Sequence, residues 1–221
     1  MEKKLRLGIF GGTFDPIHRG HIHLALQMKA ALSLDRVLLM PAGRPPHKQE
    51  RRVSPARHRY EMCRLACAGL AGFEVSDLEI RAPGPSYMAD TLERASLLYP
   101  GAELELLLGP DAFFTVGHWA RFSTIAALAR LCVPYEGEAP PPELTRQAGR
   151  YRAEGARTAL VPADLLPLSS TGIRAALRTG QGRPGAGLNT SVLTYIRSHG
   201  LYAPEQPKRP ECVGNMRMEG L

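Results

Sequence analysis

The chain predicts a Rossmann-like α/β fold: one doubly wound parallel sheet in a single domain, with helices on both faces. Three observations carry this. Short apolar runs of the fully buried strand type alternate with longer helical patterns through most of the 221 residues, the order that successive βα units leave in a sequence. The first of these runs passes through a glycine pair into a turn and then a helix. The chemically distinctive loops, after Phe10, Met40, Leu108 and Val161, all follow predicted strands. A parallel sheet gathers such loops along the carboxyl edge, where ligands of these folds bind.

Leu5 to Phe10 reads as the first buried strand. Gly11 and Gly12 follow, then Thr13-Phe14-Asp15-Pro16 as a turn, then a helix that begins near His18-Arg19-Gly20-His21 and runs to Leu32. Arg36 to Met40 is a second buried strand, and the prolines and glycine of Pro41-Ala42-Gly43-Arg44-Pro45-Pro46-His47-Lys48 make a loop. Ser54 reads as an N-cap with Pro55 at the first helical position, opening a helix to about Ala68. Phe73-Glu74-Val75 and Leu78-Glu79-Ile80 alternate as a strand pair or one bent strand. Asp90-Thr91-Leu92 lies in a helix that ends before Pro100. Leu104 to Leu108 is a buried strand, Gly109-Pro110-Asp111 opens a helical turn, Ile125 to Arg130 is a short helix and Leu131-Cys132-Val133 a strand. Glu143 to Glu154 reads as a polar helix and Thr158 to Val161 as the last strand. Ser169-Ser170-Thr171 precede a helix over Gly172–Arg178, with Ser170 or Thr171 as its cap. Asn189 or Thr190 caps a final helix that closes at Gly200. The domain is expected over residues 1–202. The tail, 203–221, contains Pro204, Pro207 and Pro210 and reads as poorly ordered.

Hydrophobic content of 44% and charged content of 22% are ordinary for a globular domain. No apolar run approaches the roughly 20 residues of a membrane span, and the start of the chain lacks the apolar core of a signal peptide. A cytoplasmic location is the expectation. Of the four cysteines, Cys63 and Cys67 lie four apart on a predicted helix face beside Met62, Leu65 and Ala66, a spacing that fits buried reduced thiols better than a zinc site. The formal charge is +7. Arg44, Lys48, Arg51, Arg52, Arg57 and Arg59 stand against Glu50 alone, a basic cluster that suits an anionic partner.

Two stretches carry phosphate chemistry. A helix start presents unpaired N–H groups and a positive dipole end, and glycines let a backbone approach phosphate closely. Gly11, Gly12, Thr13 and Phe14 therefore line a phosphate path, with His18 and His21 adding imidazole donors at the same helix start. In Leu168-Ser169-Ser170-Thr171-Gly172-Ile173-Arg174, the hydroxyls of Ser170 and Thr171 and the guanidinium of Arg174 can meet one anion.

Residues Gly11 to His21 resemble the signature of the nucleotidylyltransferase superfamily, and Ser169–Arg174 resembles that superfamily's Ser-Ser-Thr-x-Ile-Arg element. Further stretches narrow the likeness to the bacterial nicotinate-nucleotide adenylyltransferases: Pro41 to Lys48, Ser86-Tyr87-Met88-Ala89-Asp90-Thr91-Leu92, Gly109-Pro110-Asp111 with Trp119, and Val192 to Tyr202. The resemblance spans residues 5–202. It implies adenylyl transfer from ATP to nicotinate mononucleotide, giving deamido-NAD and pyrophosphate, with magnesium held mainly by the ATP phosphates and no metal ligand on the protein. It makes His18, His21 and Arg174 the catalytic group and adds Ser170 and Thr171 to the ATP contacts. Arg44, His47 and Lys48 face the substrates from the second loop. Thr91 is expected near the nicotinate carboxylate, Asp111 near a ribose, and Trp119 stacked on the pyridine ring. His23, His58 and His199 read as surface or helix-face residues.

Two departures stand out. The family often carries an arginine just after the strand ending at Val133, where this chain has Pro134-Tyr135-Glu136-Gly137, and Met88 occupies the place of a usual threonine. The nearest alternative acceptors are nicotinamide mononucleotide or another phosphomonoester such as phosphopantetheine. The Asp111–Trp119 and Pro-Pro-His-Lys stretches argue against phosphopantetheine. A non-catalytic nucleotide or nucleic-acid binding module would use the basic cluster and would not need both histidines. A membrane partner is not expected, and a homo-oligomer is left open.

Overall fold

The computed structural model describes residues 3–45, 53–180 and 186–203. Six strands form its sheet: β1 (Arg6–Gly12), β2 (Arg36–Pro41), β3 (Phe73–Val75), β4 (Glu103–Leu107), β5 (Ala129–Tyr135) and β6 (Thr158–Pro162). Their order is β3-β2-β1-β4-β5-β6, with every neighbouring pair parallel. The chain winds outward from β1 to β3, then returns to place β4 against the other side of β1. That reversal makes the β1/β4 boundary the switch point, outside whose carboxyl ends a crevice must open.

The strands are buried on both faces, and their period of two splits the core in half. Leu7, Ile9, Leu38, Met40, Leu104, Leu106, Leu131 and Val133 point to one face. There they meet α4 (Met88–Leu98), α5 (Pro110–Thr115), α6 (Phe122–Leu128) and α7 (Pro142–Ala153). Phe10, Val37, Leu39, Leu107 and Cys132 point to the other. That face is covered by α1 (Arg19–Ala31), α2 (Ala56–Cys67), α8 (Ser170–Thr179) and α9 (Thr190–Ser198). The last two helices therefore return to the face of the first two, which brings the second phosphate motif beside the first.

A buried ion cluster ties the opposite end of the sheet. Glu105, 3% exposed in β4, accepts from Arg130 Nε and Nη2 at 2.7 Å each and from Arg6 Nη2 at 3.0 Å. Burial alone would raise its carboxyl, but the bonds to Arg130, Cys132 and Arg6 outweigh it and hold the pKa below the usual value. Glu105 thus links the first residues of β1 and β5 through the strand between them.

Several local expectations are corrected. β1 extends through Gly11 and Gly12, which pair with Met40 and Pro41 of β2, so the turn begins at Thr13. Leu78–Arg81 is a short helix, α3, rather than a strand. Ser54 does not cap α2: the N-cap is Pro55, with no side-chain bond. Ser169, not Ser170 or Thr171, caps α8, accepting from the Gly172 N–H at 3.1 Å. Asn189 caps α9 through the Ser191 N–H. Cys63, Cys67 and Cys132 are buried free thiols, with burial pushing Cys67 up to about 12. Cys212, His47, Lys48, Arg51, Arg52 and the tail from Pro204 lie outside the described residues. No helix among the described residues is long and apolar enough to cross a membrane.

Candidate active site

The site begins at the start of α1. His18 is its N-cap, in extended backbone, and its carbonyl accepts from the N–H groups of His21 and Ile22. No acidic residue occupies the first turn, so the positive end of the helix dipole is left uncompensated. The His18 N–H donates to His21 Nδ1 at 3.2 Å. That bond needs an unprotonated Nδ1, which places the proton of a neutral His21 on Nε2 and makes Nε2 a donor. The two imidazoles stack with centroids 3.7 Å apart, and His21 meets the Phe14 ring edge-on at 5.1 Å.

His18 is 7% exposed, and burial lowers its pKa to about 4. It is therefore neutral at pH 7, and the stacked pair carries no like-charge repulsion from that ring. Gly20 makes the stack sterically accessible: a Cβ there would stand 3.0 Å from His18 Nδ1. The lowered pKa also predicts a stability profile. Between pH 6.5 and 4 the unfolded chain binds a proton that folded His18 does not, so its contribution is complete above pH 6.5 and lost as pH falls toward 4. Urea unfolding from pH 7 to 4 should show this slope in the wild type and a flatter one in His18→Asn. Parallel profiles would contradict the buried neutral imidazole.

The turn between β1 and α1 is fastened from several sides. Ser170 Oγ donates to the Pro16 carbonyl at 2.9 Å, and Arg174 Nη1 donates to the Asp15 carbonyl at 2.6 Å. Arg174 Nη2 also donates to Thr171 Oγ1 at 3.2 Å. The two motifs thus converge on one turn, with the start of α8, itself free of acidic residues in its first turn, beside the start of α1.

Arg59 has a role that its place in the sequence does not announce. It counts toward the basic cluster in the sequence, yet it is 1% exposed. Its guanidinium donates to the carbonyls of Ser54 at 2.9 Å, Thr13 at 2.8 Å and Gly43 at 3.1 Å. The carboxylates of Asp15 and Glu79 supply favourable charge nearby. One buried cation therefore holds the loops after β1 and β2 together. Its signal was its spacing: Arg59, Met62, Cys63, Ala66 and Cys67 are the buried positions of α2 and fall on one helical stripe. Arg44 and Arg57 are exposed.

A cleft of about 470 Å³ opens at the switch point, walled by Gly11, Gly12, Thr13, Leu106 to Gly109, and the Ser86-Tyr87-Met88 segment, with Trp119 and His118 at one side. Of the sequence-predicted residues, Gly11, Gly12, Thr13 and Trp119 line it. Arg44 is exposed and outside the lining, to which its neighbour Pro45 belongs. Phe14 is buried under the turn, 3% exposed. Thr91 is not part of this wall: it is 2% exposed, and its hydroxyl donates to Glu79 Oε1 at 2.7 Å. Asp111 is exposed in the first turn of α5, outside the lining.

Glu79, absent from the sequence-based site, does line the cleft. Burial pushes its carboxyl up, countered in part by the hydroxyls of Thr91 and Ser86. Ser86 Oγ in turn accepts the N–H groups of Gly43 and Arg44. Gly43 is required by this packing, since a Cβ would fall 2.3 Å from the Glu79 carbonyl oxygen.

Fold and site together define a doubly wound α/β protein in which the starts of α1 and α8 meet at the turn that follows β1. Residues 9–176 match the cytidylyltransferase-like family. A Thermomicrobium roseum protein named "Probable nicotinate-nucleotide adenylyltransferase" is 40% identical over 208 residues, covering 93% of this chain and 95% of its own. A Thermus thermophilus protein of the same name is 42% identical over 204 residues, covering 90% and 100%. The chain belongs to the cytidylyltransferase-like family and, within it, to the nicotinate-nucleotide adenylyltransferases. The Plasmodium falciparum nicotinic acid mononucleotide adenylyltransferase complexed with NaAD has the same fold, with a TM-score of 0.71 at 16% identity over 90% of this chain and 97% of that one.

Proposed function

We infer that the chain transfers the adenylyl group of ATP to nicotinate mononucleotide, giving deamido-NAD and pyrophosphate. The attacking group is a phosphate monoester, already largely dianionic at neutral pH because its second pKa is about 6. One of its oxygens bonds to the α-phosphorus of ATP, the α–β bridging P–O bond breaks, and pyrophosphate leaves with the bonding pair. No strong base is needed, so catalysis rests on positioning and on stabilising charge around the phosphorus.

The observation that carries this reading is the stacked imidazole pair at the start of α1, a first turn without acidic residues, on the turn that follows the glycine strand end walling the cleft; His18 itself lines a separate hollow with Ile17, Ile22 and His23. His21 Nε2 donates to the reacting phosphate and His18 to its neighbour. Gly11, Gly12 and Thr13 line the phosphate path, while Ser170, Thr171 and Arg174 hold the triphosphate. Arg44, with His47 and Lys48, neutralises charge from the second loop. Trp119 offers a flat face to the pyridine ring. Thr91 acts on this end of the cleft through Glu79 rather than by direct contact. The three buried free thiols suit a reducing compartment, and we place the protein in the cytoplasm.

We assign magnesium to the phosphates of ATP, as part of the substrate. Among the described residues no three His, Cys, Asp or Glu side chains converge on one point, and the Asp15 carboxylate accepts from the Ser54 N–H. Hydroxyls, a neutral imidazole and backbone N–H groups suit phosphates whose charge is already reduced by the ion, and magnesium is commonly held through substrate phosphates. Chelation should stop turnover yet leave the melting temperature of the ligand-free protein unchanged. A chelator-induced fall in Tm would reveal a resident metal instead. The reaction itself is tested with ATP labelled at the α-phosphorus. Label is expected in the dinucleotide product with one unlabelled pyrophosphate released per turnover, and label in the released pyrophosphate or in free AMP would contradict the assignment.

A further inference from the structure

The segment after α9 reaches back to the phosphate turn. Gly200 (φ +58°) and Tyr202 (φ +58°) both adopt left-handed backbone, a conformation that a tyrosine holds only when its surroundings impose it. Tyr202 then places its hydroxyl against Asp15, donating to Oδ1 at 2.5 Å across 187 residues of sequence.

Asp15 is well placed to transmit such a contact. It is 5% exposed, and its second carboxylate oxygen accepts from the Ser54 N–H at 3.3 Å. It follows Phe14, whose ring packs edge-on against His21, and it stands three residues before His18. Burial and the Asp15 charge push the Tyr202 phenol well above its ordinary value, so it remains a donor throughout the neutral range. The carbonyl of Asp15 is held by Arg174, while Tyr202 and Ser54 donate to its carboxylate.

We propose that Tyr202 is a positioning residue for the histidine pair: through Asp15 it sets the turn that presents His18 and His21 to the phosphates. The closing segment of the chain is then a working part of the site. In kinetic terms this rests on the adenylyl-transfer reading, but the imidazole geometry can be read without any substrate.

Tyr202→Phe keeps the ring and removes only the donor. It should lower kcat about tenfold, leave KM for ATP and for nicotinate mononucleotide within about twofold, and shift the imidazole ¹⁵N resonances of His18 and His21 in the ligand-free protein. Tyr195→Phe is the control, because the Tyr195 hydroxyl bonds His58 Nδ1 at 2.9 Å, away from the turn. It should leave kcat and those resonances unchanged. Asp15→Ala also removes the acceptor of the Ser54 N–H and a charge near Arg59, so its kcat defect should be at least as large, and adding Tyr202→Phe to it should cost nothing more, since their shared contact is already gone. The proposal is overturned if Tyr202→Phe leaves the resonances in place, or if its effects on kcat do not exceed those of Tyr195→Phe. Should the wild type fail to adenylylate nicotinate mononucleotide, the functional reading falls, while the resonances still decide the role of Tyr202.

Discussion

His21→Ala is expected to lower kcat for adenylyl transfer by about 10²–10³-fold, the usual consequence of removing one donor aimed at charge that grows in the transition state. The geometry gives the reason. His21 Nδ1 accepts from the His18 N–H, so the neutral ring carries its proton on Nε2 and can act as a donor. The ring is held between its stacked neighbour and the edge-on Phe14, so little reorganisation is needed when substrate arrives. Alanine is the best helix former, and the N3 position it would occupy keeps its backbone bond to the His18 carbonyl. The variant should therefore fold and bind ATP with its remaining contacts. Steady-state kinetics with a parallel melting curve checks this. An unchanged kcat would remove the histidine pair from the mechanism.

Arg59→Met should destabilise the protein by about 3–5 kcal/mol, because three hydrogen bonds from a buried charged donor, each worth about 1.5–3 kcal/mol, are lost with only part recovered by the apolar side chain. The methionine fills much of the space but donates nothing. Three carbonyls, of Ser54, Thr13 and Gly43, lose their donor, and each buried acceptor left unpaired costs about 1–3 kcal/mol. Asp15 and Glu79 also lose the nearby positive charge. Because these carbonyls belong to the loops after β1 and β2, the surviving folded fraction should also bind substrate poorly. Urea unfolding measures the loss, and a value below about 1 kcal/mol would show that the three carbonyls find other donors.

The fold was legible because its strands are buried on both faces. Leu106 to Leu108 and Val37 to Met40 read as continuous apolar runs, and their glycine and proline punctuation marks the loops. The first motif was legible for the same reason: a strand, a glycine pair and a histidine-bearing helix start follow one another without interruption. What could not be read was the destination of charges. Arg59 and Arg57 look alike in a basic run, yet one is buried among three carbonyls and the other is exposed. Only the helical stripe distinguishes them. Glu79 sits in an alternating segment that resembles a strand, but Leu78–Arg81 is helical, which turns its carboxyl toward Thr91 and Ser86. The resemblance puts Thr91 at the substrate, whereas its hydroxyl donates to Glu79. The contact of Tyr202 with Asp15 joins residues 187 apart, and no local pattern encodes such a pairing.

The central claim is adenylyl transfer to the acid form of the pyridine mononucleotide by the site at the β1/β4 switch point. Pyrophosphate release from ATP, measured side by side with nicotinate mononucleotide and nicotinamide mononucleotide, tests it most directly. The account predicts a higher kcat/KM for the nicotinate nucleotide, and equal or better turnover of the amide would contradict it.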